Sequence, residues 1–280
     1  MPRFEPETHE PVEAYTEAME AIHVAVGIAL FEFARNSSAQ QDTVIRNFLA
    51  RADTTARAVF KLWDIHDYQD CWVLHRCLLD RLFHLRYLAR TDSFSEFEEW
   101  SFYEQYKGVN RVRSDQSVKG VREHPLFNLT VEQKRRAQNI SEAASKWRRP
   151  KAEDIAKEMG LTFLYSYGYD YASTHVHPMA HDGDQDFYTI TGLESQQEFP
   201  DQRTVLANTL LVLTILVQEA MNSSTFQWRQ IMYRVIEDVR KFVGNGDYSY
   251  RQSFVIFVNA VQEGMSMSEV NDIAQEASKI

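Results

Sequence analysis

Apolar residues recur at steps of three and four along most of the chain, the spacing of one helix face. From Pro11 to about Arg35 the stripe is Tyr15, Met19, Ile22, Val26, Ala29 and Phe33. From about Asp42 to Trp63 it is Val44, Phe48, Ala52, Ala56, Val59 and Leu62, and Asn36-Ser37-Ser38 separates the two. The pattern predicts a third helix from about Tyr68 to Ala89 and a fourth from about Ser95 to Tyr106, capped by Asp92 and Ser93. Lys107 to Leu129 contains Gly108, Gly120 and Pro125 without strong periodicity and reads as an irregular basic loop. Helices resume over Thr130 to Trp147 and over Lys151 to Met159, the second opened by Pro150 and closed by Gly160.

Leu161 to His175 predicts a further helix, ended by Pro178 and the polar run His181-Asp182-Gly183-Asp184. Asp186 to Gly192 reads as a short strand or a loop. Helices follow over Arg203 to Asn222 and Phe226 to Val243, then a turn at Gly244-Asn245-Gly246, then segments around Ser253 to Glu263 and Met267 to Ser278. With 10 Gly and 7 Pro the chain is sparsely punctuated, which favours long helices over short strands joined by tight turns. The expectation is a single all-α domain over residues 1–280, a large antiparallel helical bundle with a C-terminal helical extension from about residue 201.

Hydrophobic residues at 44% and charged residues at 25% belong to an ordinary globular chain and exclude a wholly disordered or disulfide-scaffold one. The longest apolar run, Leu206 to Val217, is interrupted by Asn208, Thr209 and Thr214 and falls short of the about 20 residues of a membrane span. Met1 to Glu13 lacks the apolar run of a secretory signal. The expected setting is cytoplasmic, with no membrane contact. Cys71 and Cys77, six apart on a helix, lie about 120° around it and roughly 9 Å along it, so they read as reduced thiols.

The net charge of −10 disfavours nucleic acid until the charge is located. From Lys107 to Lys151 the basic residues are Lys107, Arg111, Arg113, Lys119, Arg122, Lys134, Arg135, Arg136, Lys146, Arg148, Arg149 and Lys151, against Asp115, Glu123, Glu132 and Glu142. This stretch is therefore +8 and the remainder −18, a polarity that steers an anionic partner to one face. Trp147 beside Arg148 and Arg149 offers an aromatic platform for a base. The alternative is a solvated helix pair balanced by Glu96, Glu98, Glu99 and Glu104, with Trp147 on its buried side.

Two helices carry chemistry at helical spacing. Tyr165, Tyr169, Ser173 and His177 recur at steps of four, each step advancing the face by about 40°, and Tyr167, Tyr171 and His175 form a second row. A histidine serves as general acid or base near neutral pH, and Ser or Tyr hydroxyls donate to phosphate or carbonyl oxygens. Trp72, Arg76, Asp80 and His84 repeat the spacing on the third helix, where Arg76 pairs with Asp80 or, facing the Tyr and Ser row, supplies a fixed positive charge to an anionic substrate. A buried Tyr and His network that cross-links helices is the structural alternative.

His175, His177, His181, Asp182, Asp184 and Asp186 crowd together, as do Asp64, His66, Asp67, Asp70 and His75, but neither group has a diagnostic metal spacing. Glu20 to His23 is a single Glu-x-x-His without the second copy of a di-iron bundle. A phosphate-cradling Gly-rich loop and a nucleophile elbow are both missing from the sequence. The residues predict no metal and no cofactor.

Arg76 with an acidic residue four later, followed by Tyr165, Tyr169, Ser173, His177 and Pro178 in a Tyr-x3-Tyr-x3-Ser-x3-His-Pro pattern, resembles a bacterial all-helical family of unknown function over about residues 40 to 195. Asp80 stands where the pattern has Glu. A more distant similarity is to the HEPN group of helical RNases and toxins, whose Arg-x4-6-His motif has one literal match here, Arg3 to His9. The resemblance implies RNA or another phosphate-bearing ligand as partner, in a toxin or phage-defence setting. His177 is then general acid or base, Arg76 the stabiliser of phosphate charge, and Tyr169, Ser173 and Asp80 positioning groups. Tyr165, His84, Trp147, Arg148 and Arg149 are candidate substrate contacts. The competing expectation is a non-catalytic scaffold or interaction module that assembles as a homo-oligomer through the apolar Arg203 to Asn222 helix. A metal-dependent hydrolase is the third.

Overall fold

The computed structural model describes residues 10–36, 39–115, 128–142, 147–177, 183–193, 203–224 and 229–264. Every regular element in them is helical: α1 (Val12–Asn36), α2 (Gln40–Asp64), α3 (Tyr68–Thr91), α4 (Phe94–Ser114), α5 (Val131–Glu142) and α6 (Ala152–Glu158). Next comes α7, which runs from Thr162–Leu164 through a π-helical stretch, Tyr165–Asp170, into Tyr171–Ser173. It is followed by α8 (Asp184–Thr191), α9 (Arg203–Asn222), α10 (Arg229–Asn245) and α11 (Tyr250–Glu263). Among the described residues there is no strand, so the fold is an all-α bundle.

Where the sequence marks no boundary, the chain divides into two compact units. One is Met1–Tyr87 with Ala152–Ile280, and the other is Leu88–Lys151. The first is built around α9, which packs on α1, α2 and α10, while α1 also packs on α2, α10 and α11. Twelve α9 residues are buried, from Val205 to Met221, so its surface points inward on several sides. Its length and mean hydropathy do meet those of a membrane-crossing helix, contrary to the expectation from the interrupted run, but two thirds of it is buried inside the fold. The same burial removes α9 as an exposed assembly face.

The polar residues inside this unit are matched to partners. Thr209 on α9 is fully buried and meets His75 Nδ1 of α3 at 3.2 Å. Desolvation holds the His75 imidazole down at about 4, so it is neutral at physiological pH. Buried Asp53 of α2 is held by His23 Nδ1 of α1 at 2.9 Å, and burial raises its pKa despite that partner. Between α2 and α3 the chain turns through His66, at φ 65°, with Asp67 N–H reaching back to the Leu62 carbonyl at 3.0 Å. Asp67 then caps α3 by accepting from Asp70 N–H at 3.2 Å.

The second unit pairs α4 with α5. A capping box opens α5: Gln133 N–H donates to Thr130 Oγ1 at 3.1 Å, and Thr130 N–H to Gln133 Oε1 at 2.9 Å. Arg136 forms an ion pair with Glu98 and lies over the Phe102 ring at 4.3 Å, tying the two helices together.

Several boundaries differ from expectation. Helix α4 runs on through Lys107 and Gly108 to Ser114, because the Lys107 to Glu104 pair at 2.5 Å and Arg111 and Arg113 in its last turn suit a helix C-terminal half. A mid-helix Gly costs only about 1 kcal/mol against Ala. Asp92 does not cap α4: it takes a left-handed φ of 51°, and Ser93, the N-cap, bonds Thr91 Oγ1 at 2.7 Å instead of the helix backbone. The Asp186 to Gly192 segment, expected as a short strand or a loop, falls in helix Asp184–Thr191, with Asp184 and Asp186 at its positive end and Gly192, φ 67°, closing it. Trp147 lies in non-helical backbone beyond Glu142. Residues 116–127, the Met267 to Ser278 segment, and Arg3 with His9 lie outside the described residues.

Candidate functional site

The seam between α3 and α7 brings the two candidate rows together. Gly168, within the π-helical stretch, allows close approach: a Cβ built there would stand 2.9 Å from Leu79 Cδ1, and Leu79 is fully buried on α3. Single π turns of this kind recur at functional sites. With the backbones this near, Arg76 Nε donates to Ser173 Oγ at 2.8 Å, and Arg76 Nη2 to Tyr169 OH at 2.9 Å. The guanidinium carbon lies 4.6 Å from the Tyr169 ring centroid. Ser173 Oγ donates in turn to the Tyr169 carbonyl at 2.6 Å.

Tyr165 stacks on Tyr169 at 5.3 Å, and Phe83 packs on the same ring at 5.9 Å. Burial, and the nearby Glu153 and Asp170 charges, push the Tyr165 phenol up, so it acts as a neutral hydroxyl. A neighbouring aromatic cluster surrounds Trp72, with His75 at 5.5 Å, Tyr171 at 5.0 Å and a stacked His175 at 6.2 Å. Burial also raises the Tyr171 phenol.

Four of the predicted residues thus gather: Arg76, Tyr165, Tyr169 and Ser173. The others do not join them. Arg76 forms no pair with Asp80, because its N–H groups turn to the α7 hydroxyls, and among the described residues no carboxylate lies within ion-pair distance of it. Asp80 instead stands 3.6 Å from His84. His84 is 4% exposed, with its Nδ1 on the Asp80 carbonyl at 2.7 Å, so it faces the core and not a substrate.

His177 is exposed and lies beyond the end of the helix. The α7 helix stops at Ser173 and continues as turns, with Thr174, His175 and Val176 N–H groups bonding carbonyls three residues back. The i,i+4 row therefore loses its phase before His177, which has no hydrogen bond to Arg76 among the described residues.

Trp147, Arg148 and Arg149 belong to the second unit. Trp147 is half-buried and meets Trp100 edge-on at 5.5 Å and Phe97 at 5.8 Å, so one edge of its ring belongs to an aromatic cluster of that unit. Arg148 and Arg149 are exposed, and Arg148 Nη1 donates to the Trp147 carbonyl at 3.0 Å.

Among the described residues no three His, Cys, Asp or Glu side chains converge as a metal site would require. His181, Asp182 and Pro178 lie outside the described residues. His75 and His66, from the other acidic and histidine cluster, point to Thr209 and Tyr68 instead.

The matched family segment runs over residues 42–188, slightly more than half the chain. The chain belongs to DUF5677, a family of unknown function. The segment contains α2 to α7 and with them Arg76, Tyr165, Tyr169, Ser173 and His177, while α1 and α9 to α11, which complete the core of the first unit, lie outside it. The family description gives no activity and makes no link to the HEPN group. No curated protein and no solved structure matches the chain.

Sequence reasoning missed Gly168, whose lack of a side chain sets the α3 to α7 approach, and the buried Thr209 and Thr214, whose hydroxyls meet His75 Nδ1 and accept from Arg240 Nε. The signal for the threonines was present: hydroxyls inside an apolar helix need partners from neighbouring helices.

Proposed function

We propose that the α3 and α7 seam binds a phosphate-bearing ligand, RNA foremost, through Arg76. One observation carries this reading: the half-buried guanidinium is held by two hydroxyls and a ring face, with no carboxylate among the described residues to neutralise it. Neutral groups orient a cation without cancelling its field, which leaves it available to an incoming oxyanion. The exposed basic residues Arg148 and Arg149 add a general attraction for polyanions. The free thiols of Cys71 and Cys77 suit a reducing, cytoplasmic setting.

In the catalytic version, a nuclease of toxin or phage-defence type, exposed His177 acts as general acid or base on a substrate that Arg76 holds. Binding of a short single-stranded RNA is the direct test. Arg76→Gln should weaken it at least about tenfold, and unchanged affinity overturns the reading. Incubation with mixed RNA tests the chemistry: no cleavage, or cleavage untouched by His177→Ala, removes the catalytic version.

The scaffold reading has its own support. Ser173 Oγ is bonded on both sides, to Arg76 and to the Tyr169 carbonyl, as in a cross-link between helices. It predicts that Arg76→Gln lowers melting temperature and leaves RNA affinity as it was.

A further inference from the structure

A histidine and carboxylate pair joins α1 to α2, away from the α3 and α7 seam. His23 Nδ1 of α1 meets both carboxylate oxygens of Asp53 on α2, at 3.0 Å from Oδ1 and 2.9 Å from Oδ2. An ionised carboxylate only accepts, so Nδ1 carries the proton and, in the neutral ring, Nε2 carries the lone pair. The two partners differ in exposure: the Asp53 side chain is 9% exposed and the His23 side chain 34%. Nε2 is the open end of the ring. It has no hydrogen-bond partner among the described residues, and it retains accessible surface. His23 lies ahead of the family segment, so the pair ties the family's α2 to a helix outside it.

This arrangement suits nucleophilic chemistry at Nε2. A carboxylate on one ring nitrogen fixes the tautomer and orientation of the imidazole and raises the basicity of the other nitrogen. Burial makes Asp53 a stronger base than an ordinary aspartate, with His23 and Arg57 acting against that rise and Glu20 adding to it. Glu20, one turn before His23 on α1, and Arg57, one turn beyond Asp53 on α2, are both exposed, and neither forms an ion pair among the described residues. Arg57 is thus an uncommitted cation at this turn of the bundle, able to hold an oxyanion. Among the described residues no hydroxyl or thiol is bonded to His23, so the nucleophile is the imidazole itself and not a side chain that it activates.

We propose that His23 is a phosphoryl-acceptor site: Nε2 takes a phosphoryl group from a small activated donor, an acyl phosphate or a phosphoramidate, while Asp53 fixes the ring and Arg57 draws the phosphoryl oxygens. The Nε2 lone pair forms the N–P bond as the bond from phosphorus to the leaving group breaks. That electron pair departs with a carboxylate from an acyl phosphate, or with ammonia from a phosphoramidate protonated on nitrogen. Nδ1 keeps its proton throughout, so the phosphorylated ring is cationic and its charge faces the Asp53 carboxylate. Nothing is oxidised or reduced. The site uses α1 and α2 residues alone and does not depend on the RNA reading.

The test incubates the full chain at neutral pH with acetyl phosphate and, separately, with phosphoramidate, and follows each histidine by mass spectrometry of peptides kept out of acid. His66 and His177 are internal standards, since both are exposed and have no carboxylate partner among the described residues. With at least one donor His23 should be modified at least about tenfold faster than either standard, as expected for a carboxylate-supported ring. Which donor responds tells acyl phosphate from phosphoramidate, and phosphorus NMR should place the group on Nε2. Asp53→Asn should bring the His23 rate down to that of the standards, and the exposed Arg57→Gln should lower it several-fold while the standards stay as they were. If Asp53→Asn fails to fold, the comparison within the unaltered chain and the Arg57→Gln variant decide. The proposal fails if His23 reacts no faster than His66 and His177 with both donors, if the group sits on Nδ1, or if Arg57→Gln leaves the His23 rate unchanged.

Discussion

Arg76 on α3 and Ser173 at the end of α7 are joined by a 2.8 Å hydrogen bond from Nε to Oγ across 97 residues of chain. Because the Ser173 hydroxyl in turn donates a hydrogen bond to the Tyr169 carbonyl at 2.6 Å, the guanidinium polarises a chain of two bonds and not one contact. The bond fixes where the positive charge points as well as how the helices meet.

Removing that charge should cost stability as well as ligand affinity. Arg76→Gln loses two hydrogen bonds and a ring contact, and urea unfolding should show a loss of about 1–3 kcal/mol. Arg76→Lys keeps the charge but lacks the planar fork that serves Ser173 and Tyr169 together, so it should recover only part of the stability. Full recovery by Lys would mean that the fork geometry is irrelevant.

Gly168→Ala places a Cβ 2.9 Å from the buried Leu79 Cδ1. Leu79 is the flexible end of a side chain, but it sits in a packed core and has little room to yield. A loss of about 1–3 kcal/mol is expected. The double variant Gly168→Ala with Leu79→Ala should be more stable than the sum of the two single losses, and strict additivity in that cycle would show that the two residues do not clash.

His75 makes folding depend on pH below neutrality. Burial lowers its folded pKa to about 4 from the ordinary imidazole value of 6.5, so the unfolded chain takes up its proton first as pH falls. The stability that His75 contributes is complete above about pH 6.5, declines between 6.5 and 4 by at most about 1.4 kcal/mol per unit, and levels off below. His75→Gln should flatten this interval in the difference between the two unfolding profiles. Parallel profiles would place His75 in contact with solvent.

The two thiols should differ in reactivity. Burial pushes the Cys71 thiol up to about 12, helped by Asp67 and Asp70, and its Sγ bonds the Val59 carbonyl at 3.3 Å. Cys77 is partly exposed. A thiol reagent at neutral pH should label Cys77 in the native protein and reach Cys71 only on unfolding. Cys77→Ser should abolish native-state labelling, and equal rates at both thiols would contradict the burial of Cys71.

Helix content and the inward stripes of α1 and α2 were legible from the 3.6-residue period, because burial of one face imposes it wherever a helix packs on a core. The four-residue spacing of Tyr165, Tyr169 and Ser173 was legible for the same reason, and so was the choice of Arg76 as the cation for that row. His177 was not placed correctly by the same arithmetic. Extrapolating the row assumed a helix through residue 177, whereas the chain leaves α7 at Ser173 and turns. Asp184–Thr191 was misread because a short apolar run carries too little periodicity to separate strand from helix.

The amino-acid order by itself determined that the chain is a helical bundle, which faces of its long helices turn inward, and that one segment concentrates positive charge, since each of these depends on residues near one another in sequence. Only the tertiary structure decided that Arg76 bonds Ser173 and Tyr169 in place of Asp80, that His84 turns into the core, and that Arg240 reaches the buried Thr214 hydroxyl. Those outcomes depend on competition among partners far apart in the chain, and the winner is set by which backbones approach closely enough to meet, as α3 and α7 do at Gly168.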